Sequence, residues 1–211
     1  MVAMVLVPVV VTMSLGFLLG CFWRWRHARF RLRPGQARLC LVLGSGGHTA
    51  EMLRLAAELA PSEFPGRHYV LADTDINSRK WMEKMEAERG MKDWQLSQIP
   101  RAREVGQSYA TSILSTLRAF FYAFWLVLRW KPNVLLVNGP GTCIPVVASA
   151  ALLDVFFGRT CLVVFVESIC RVTSLSLTGR ILYQTGLADQ ILVQWPELQR
   201  LYPETLFISR F

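Results

Sequence analysis

The residues able to do chemistry fall in a few short clusters. Gly44-Ser-Gly-Gly-His-Thr49 sets three glycines and a histidine within six positions. When such a turn opens a helix, its backbone N–H groups face an anion at the positive helix end. His48 stands at the lip of that turn, where an imidazole can take a proton from a hydroxyl. The loop is not Walker A, because Gly-Lys-Ser/Thr is missing, and Thr49 holds the last glycine position of G-x-G-x-x-G. A second turn, Asn138-Gly-Pro-Gly-Thr142, adds Gly139 and Gly141 with two hydrogen-bonding side chains. Glu167 directly follows an apolar run, a position from which a carboxylate meets a sugar hydroxyl or Arg171. Glu51 reads more plainly as a carboxylate favoured by the start of a helix. Arg101 and Arg103, beside Glu104, can grip a pyrophosphate or form a solvated ion-paired loop. Asp73-Thr-Asp75 has the D-x-D form of metal–diphosphate sites, but a turn or helix cap is the preferred reading, and no metal ligand is assigned.

Short apolar runs alternating with helix-length segments must position these clusters. Leu39–Leu43 reads as a strand buried on both faces, and His68–Ala72, Gln95–Ile99, Val134–Val137, Cys161–Val166 and Ile191–Val193 read as five more strands. Helical spacing of Met52, Leu53, Ala56 and Leu59 follows the first loop, and Asn77 or Ser78 is placed to cap a helix ending at Gly90. The pattern predicts one α/β domain over 38–211, Rossmann-like, with a mostly parallel sheet. In such sheets ligands gather at the carboxyl ends of strands, where the unusual residues lie. The stretch 108–130 is a helix whose Phe120, Phe121, Phe124 and Trp125 crowd one half. It is either a buried crossover or a helix whose aromatic face dips into a membrane surface.

Composition narrows the class. Apolar residues make up 53% and charged ones 18% of 211 residues, which excludes intrinsic disorder. Of the formal charge of +8, six charges come from Arg24, Arg26, Arg29, Arg31, Arg33 and Arg38, so a nucleic-acid-binding face over the domain is excluded. Five cysteines without C-x-x-C spacing indicate neither a zinc site nor a disulfide framework.

Val2 to Trp23 carries no charge and as a helix would reach roughly 33 Å, enough to cross a bilayer. No basic segment precedes it and no cleavage site follows, so a membrane anchor is expected over 1–23 rather than a signal peptide. The arginines with Trp23 and Trp25 make 24–37 a basic juxtamembrane segment on the cytosolic side.

Taken in order, Gly44–Thr49, Ala72-Asp-Thr-Asp75, Ile99-Pro-Arg-Ala-Arg-Glu-Val105, Asn138-Gly-Pro-Gly-Thr-Cys143, Val166-Glu-Ser-Ile-Cys-Arg171 and Val193-Gln-Trp-Pro196 carry a resemblance. From about Arg38 onward the chain resembles the membrane-anchor subunits of the eukaryotic UDP-N-acetylglucosamine transferase of the dolichol pathway. The related bacterial peptidoglycan enzyme has a similar loop ending in Gly-Gly-His, with a glycine where Leu43 stands here.

The resemblance implies the N-terminal, acceptor-side half of a two-Rossmann-domain (GT-B) transferase divided between two polypeptides. A soluble donor-binding catalytic subunit is the expected partner, at the cytosolic face of the endoplasmic reticulum membrane. The expected reaction transfers N-acetylglucosamine to dolichyl-diphospho-N-acetylglucosamine in a β1,4 linkage with inversion. On this reading His48 and Glu167 are the candidate catalytic groups, with the choice of base open between them. Gly44, Ser45, Gly46, Gly47, Thr49, Arg101, Arg103, Asn138, Gly139, Gly141, Thr142 and Arg171 surround the acceptor diphosphate. Leu206, Phe207, Ile208 and Phe211 form the expected partner-docking end, although that run also reads as a last strand. No cofactor is fixed, and whether Mg2+ accompanies the diphosphate stays open. Two rival readings are a pure scaffold that contributes no catalytic group and a self-contained phosphate- or nucleotide-binding enzyme.

Overall fold

A computed structural model describes residues 37–90, 92–102, 107, 109–139, 141–158 and 161–209. The expected anchor over 1–23, the basic segment up to residue 36, Arg103 and Phe211 lie outside the described residues. The elements run β1 (Arg38–Val42), α1 (Gly47–Glu58), β2 (Gly66–Ala72), α2 (Ile76–Glu88), β3 (Trp94–Ile99), α3 (Tyr109–Trp130) and β4 (Val134–Asn138). They continue with α4 (Cys143–Phe157), β5 (Leu162–Val166), α5 (Leu177–Thr185), β6 (Gln190–Val193), α6 (Pro196–Leu201) and β7 (Leu206–Phe207).

The strands form one parallel sheet in the order β3-β2-β1-β4-β5-β6-β7. The six expected strands are present, and the terminal run adds a seventh, β7, pairing through Leu192 with Leu206 and Val193 with Phe207. The order reverses between β1 and β4, so the chain leaves these two neighbours in opposite directions and a crevice opens beyond their carboxyl ends. Both glycine turns follow these two strands.

Two apolar clusters cover the sheet. Met52, Leu53 and Ala56 of α1 and Met82 of α2 pack on Leu39, Leu41, Tyr69 and Leu71. On the other face Ala123 and Val127 of α3, Val146, Val147 and Ala150 of α4, and Leu182 and Leu198 pack on Cys40, Val42, Leu135, Val137 and Phe165. Because helices cover both faces, the central strands carry unbroken apolar runs without alternation.

The helix over 76–88 is capped by Asp75, not by Asn77 or Ser78. Its carboxylate accepts from Ser78 N at 3.1 Å and from Ser78 Oγ at 2.6 Å. The cap reading of Asp75 in Asp73-Thr-Asp75 therefore holds. The far end of α1 is closed by two arginines: Arg67 donates to Ala56 O and Leu59 O, and Arg89 to Ala56 O, Ala57 O and Leu59 O. Arg67 is fully buried and paired with Glu86, which also accepts from Tyr69 Oη.

The helix α3 is a crossover helix, as one of its two readings has it, and it buries Ala119, Ala123 and Val127 while Ile113, Phe121 and Trp125 face outward. Ile113 is 71% exposed, Phe121 62% and Trp125 66%. Within it, Ser112–Trp130 is the one segment among the described residues long and apolar enough to cross a membrane, yet it serves as a packed layer of this domain.

Candidate active site

A cleft of about 1300 Å³ opens over the carboxyl ends of β1, β4 and β5. Its floor is made of Gly44, Ser45, Gly47, His48, Gly139, Gly141 and Thr142, and Arg101 and Arg171 stand at its rim. Its far wall is apolar, built from Ile113, Leu117 and Phe120 of α3, Ile144, Pro145 and Ala148 of α4, and Leu177 and Ile181 of α5.

Two helices begin at the floor. α1 starts after Gly46 and α4 after Thr142, and neither has a side-chain cap. Their first N–H groups are thus left for a ligand, and both helix dipoles present partial positive charge. Such a floor suits a phosphate or diphosphate.

His48 sits between the two glycine turns. A Cβ at Gly44 would lie 2.8 Å from His48 Cβ, and one at Gly139 would lie 2.9 Å from its Cγ. Gly139 also holds φ of +102°, where an L side chain is strained. These two positions are glycine because the imidazole occupies the space a side chain would need. Its Nδ1 lies 2.7 Å from Asn138 Oδ1, which leaves Nε2 as the ring nitrogen for a substrate. Asn138 is fully buried at the end of β4, and its Nδ2 donates to Glu51 Oε2 at 3.0 Å. Glu51 Oε1 accepts from Ser168 Oγ at 2.9 Å and Ile169 N at 3.3 Å. One carboxylate therefore ties together the loops after β1, β4 and β5.

The remaining expected residues divide by orientation. Gly44, Ser45, Gly47, His48, Arg101, Gly139, Gly141, Thr142 and Arg171 line the cleft, whereas Gly46 precedes α1 outside its lining. Thr49 points under the loop: its Oγ1 donates to Gly44 O at 2.5 Å and contacts Ser78 Oγ at 2.6 Å. Its part is to pin the glycine turn to α2, since the hydroxyl is fully buried and lies outside the cleft lining. Asn138 likewise serves His48 and Glu51 rather than the cleft space.

Glu167 is 1% exposed and does not line the cleft. Oε1 accepts from Ser168 N at 3.1 Å, and Oε2 from Ser176 N at 2.8 Å and Ser176 Oγ at 3.0 Å. A Cβ at Gly179 would collide with Oε2, so the first turn of α5 closes over it. Burial pushes the Glu167 carboxyl above its ordinary range, against the pull of the Ser176 and Ser168 donors and the Arg171 charge. Its geometry is that of a clasp for the segment 168–176. Leu206, Phe207 and Ile208 lie at the far end of the sheet, with Leu206 and Phe207 exposed.

Residues 39–211 match the family model described as "Oligosaccharide biosynthesis protein Alg14 like". The chain belongs to the Alg14 family. It is 45% identical over 179 residues to the UDP-N-acetylglucosamine transferase subunit ALG14 of Rattus norvegicus, covering 82% of both chains. It is 42% identical to the Homo sapiens protein of that name, again over 82% of each, and 38% identical to that of Yarrowia lipolytica, over 82% of this chain and 81% of the relative. Among solved structures, MurG of Acinetobacter baumannii superposes with a TM-score of 0.61 at 16% identity, covering 83% of this chain and 46% of MurG. The UDP-N-acetylglucosamine 2-epimerase of Rickettsia bellii gives 0.51 at 11% identity, over 82% and 45%. This Alg14-family chain thus shares its fold with these proteins while spanning less than half the length of either.

Two features of the site escaped sequence reasoning. From the sequence Glu51 reads as a helix-dipole carboxylate, yet it lies beyond the first turn of α1 and binds two other loops. Its spacing of three from His48 places both on one helix face, which is the signal that marks it. The apolar wall from α5 gave no local signal, because Leu177 and Ile181 become neighbours of Phe120 only through the fold.

Proposed function

We propose that this chain is the acceptor-side subunit of a membrane-bound N-acetylglucosaminyltransferase acting on dolichyl-diphospho-N-acetylglucosamine. The observation that carries this reading is the cleft itself: an anion-binding floor with a histidine, continuous with an apolar wall, in a chain whose fold matches 46% of MurG. A lipid diphosphate sugar has these same three parts. The diphosphate lies over the uncapped starts of α1 and α4, with Arg101 and Arg171 reaching it from the rim. The first isoprene units run along Leu117, Phe120, Ile144 and Ile181. His48 Nε2 takes the proton from the 4-hydroxyl as that oxygen attacks the anomeric carbon of the UDP-sugar, and UDP departs from the opposite side with inversion. Glu167 keeps the 168–176 segment in place and leaves the base role to His48.

The donor-binding half is supplied by a separate soluble subunit, so this chain is inactive alone. It docks at the β7 end, where Leu206 and Phe207 are exposed on the last strand. Deleting Ile208–Phe211 is expected to abolish co-purification of the partner while membrane association persists; undiminished co-purification would refute that docking site.

The setting is the cytosolic face of the endoplasmic reticulum membrane, with residues 1–23 as a single span, a lumenal N-terminus and the arginines after it on the cytosolic side. The exposed face of α3 meets the same leaflet. Large apolar side chains left in water forgo about 1.5–3 kcal/mol each relative to burial, and monomeric soluble proteins rarely show so many together.

The testing experiment is transfer of N-acetylglucosamine from the UDP-sugar to a polyprenyl-diphosphate acceptor by this chain, alone and with the donor subunit. Activity is expected only with both chains. Turnover by this chain alone would place a donor site in its single domain and overturn the reading.

A further inference from the structure

We infer that Glu51 is a positioning residue for the reaction, acting through Asn138 to hold His48 as the Nδ1–H tautomer with Nε2 unprotonated toward the cleft. This rests on the base role proposed above for His48.

The chain of hydrogen bonds has only one consistent direction. An ionised carboxylate accepts and never donates. Glu51 Oε2, 3.0 Å from the Asn138 amide, therefore requires Nδ2 on its side. The reverse amide orientation would set two acceptor oxygens against each other at that distance. With Nδ2 so committed, Asn138 Oδ1 faces His48 Nδ1 at 2.7 Å, and an amide oxygen only accepts. The ring proton must then lie on Nδ1.

Neither end of the relay is loose. Glu51 cannot swing away, because its other oxygen holds Ser168 Oγ at 2.9 Å and Ile169 N at 3.3 Å. Asn138 is fully buried, and the ring of His48 lies against Gly44 and Gly139. When Nε2 accepts the hydroxyl proton, the positive imidazolium keeps the same Nδ1–H bond, and the Glu51 charge lies one amide away to stabilise it. Without Glu51 the amide can turn over, present Nδ2 to the ring and favour the Nε2–H tautomer, which cannot act as base.

The test uses the full-length chain in complex with its donor subunit, with 15N-labelled histidine. The chain has three histidines, so His48 is assigned by the resonances lost in His48→Ala. Long-range 1H–15N correlation of the ring reads the tautomer directly. The wild type is expected to show Nδ1–H. Glu51→Ala and Asn138→Ala are expected to shift His48 toward Nε2–H and to lower kcat on the order of 100-fold with little change in acceptor KM. Glu51→Gln can still accept from Asn138 and is expected to keep the tautomer and stay within about tenfold of wild-type kcat. Should Glu51→Ala fail to fold, Asn138→Ala answers alone, since it spares the bonds of Glu51 to Ser168 and Ile169. An unchanged Nδ1–H pattern in Asn138→Ala, or in a folded Glu51→Ala that has lost turnover, would overturn the inference. Failure of the base role is seen separately, as full turnover by His48→Ala whatever the tautomer data show.

Discussion

The floor and the far wall of the cleft are built by opposite rules. The floor is polar and over-determined: His48 is boxed by two glycines, bonded to a buried amide, and linked through Glu51 to a third loop. The wall is a set of apolar side chains from α3, α4 and α5 with no directional bonds among them. A reacting atom needs placement within fractions of an ångström, whereas a hydrocarbon chain needs only area removed from water. The same cleft can thus be strict at one end and tolerant at the other, which suits the lipid-linked acceptor proposed above.

Substitutions should separate the two surfaces, and the largest effect belongs to the floor. His48→Ala is expected to lower kcat of the assembled transferase by roughly 10² to 10⁴, with acceptor KM nearly unchanged. Steady-state kinetics on the intact complex checks this. Unaltered kcat would move all chemistry to the partner and leave this chain a scaffold.

On the outer face of α3, outside the cleft lining, the paired substitution Phe121→Glu with Trp125→Glu places two charges. The expected outcome is about a tenfold rise in KM for a long-chain acceptor in vesicles, equal to about 1.4 kcal/mol, and no change for a short-chain acceptor in detergent. An equal loss with both acceptors would show that α3 supports the fold of the cleft and not the lipid.

The smallest effect on turnover is expected from His68, which lies on β2 away from both surfaces. Its Nε2 meets Ser97 Oγ at 2.8 Å and its ring packs edge-on against Trp130. Burial pulls its pKa from the ordinary 6.5 to about 4. The unfolded chain therefore takes up a proton that the folded chain refuses, and stability present above pH 6.5 is lost as the pH falls toward 4. His68→Gln is expected to flatten that part of the pH–stability curve in denaturant titrations. An unchanged slope would assign the acid sensitivity to other groups.

Much of this architecture was legible beforehand because it rests on local pattern. Strands covered on both faces must be apolar throughout, so Leu39–Leu43 and Val134–Val137 announce a parallel sheet, and the sheet assigns its ligand site to the loops that follow them. Glycines flanking a histidine after such a strand mark the floor for the same reason. Thr49, Asn138 and Glu167 stand at the same strand ends, yet each serves its neighbours and not the cleft space. Residue type and position along a strand state which groups reach the region; they do not state which way a side chain points once several loops compete for its hydrogen bonds.

Local composition was thus enough for the parallel α/β domain, the site at its strand ends and the histidine within it, since burial and backbone geometry act over a few residues. The tertiary structure alone decided that Glu51 meets Asn138 and Ser168, that Glu167 is tied to Ser168 and Ser176, and that α3 turns Phe121 and Trp125 outward. Each of those outcomes depends on groups far apart in the chain, as Glu51 and Ser168 are, whose hydrogen bonds and packing exist only after the loops have met.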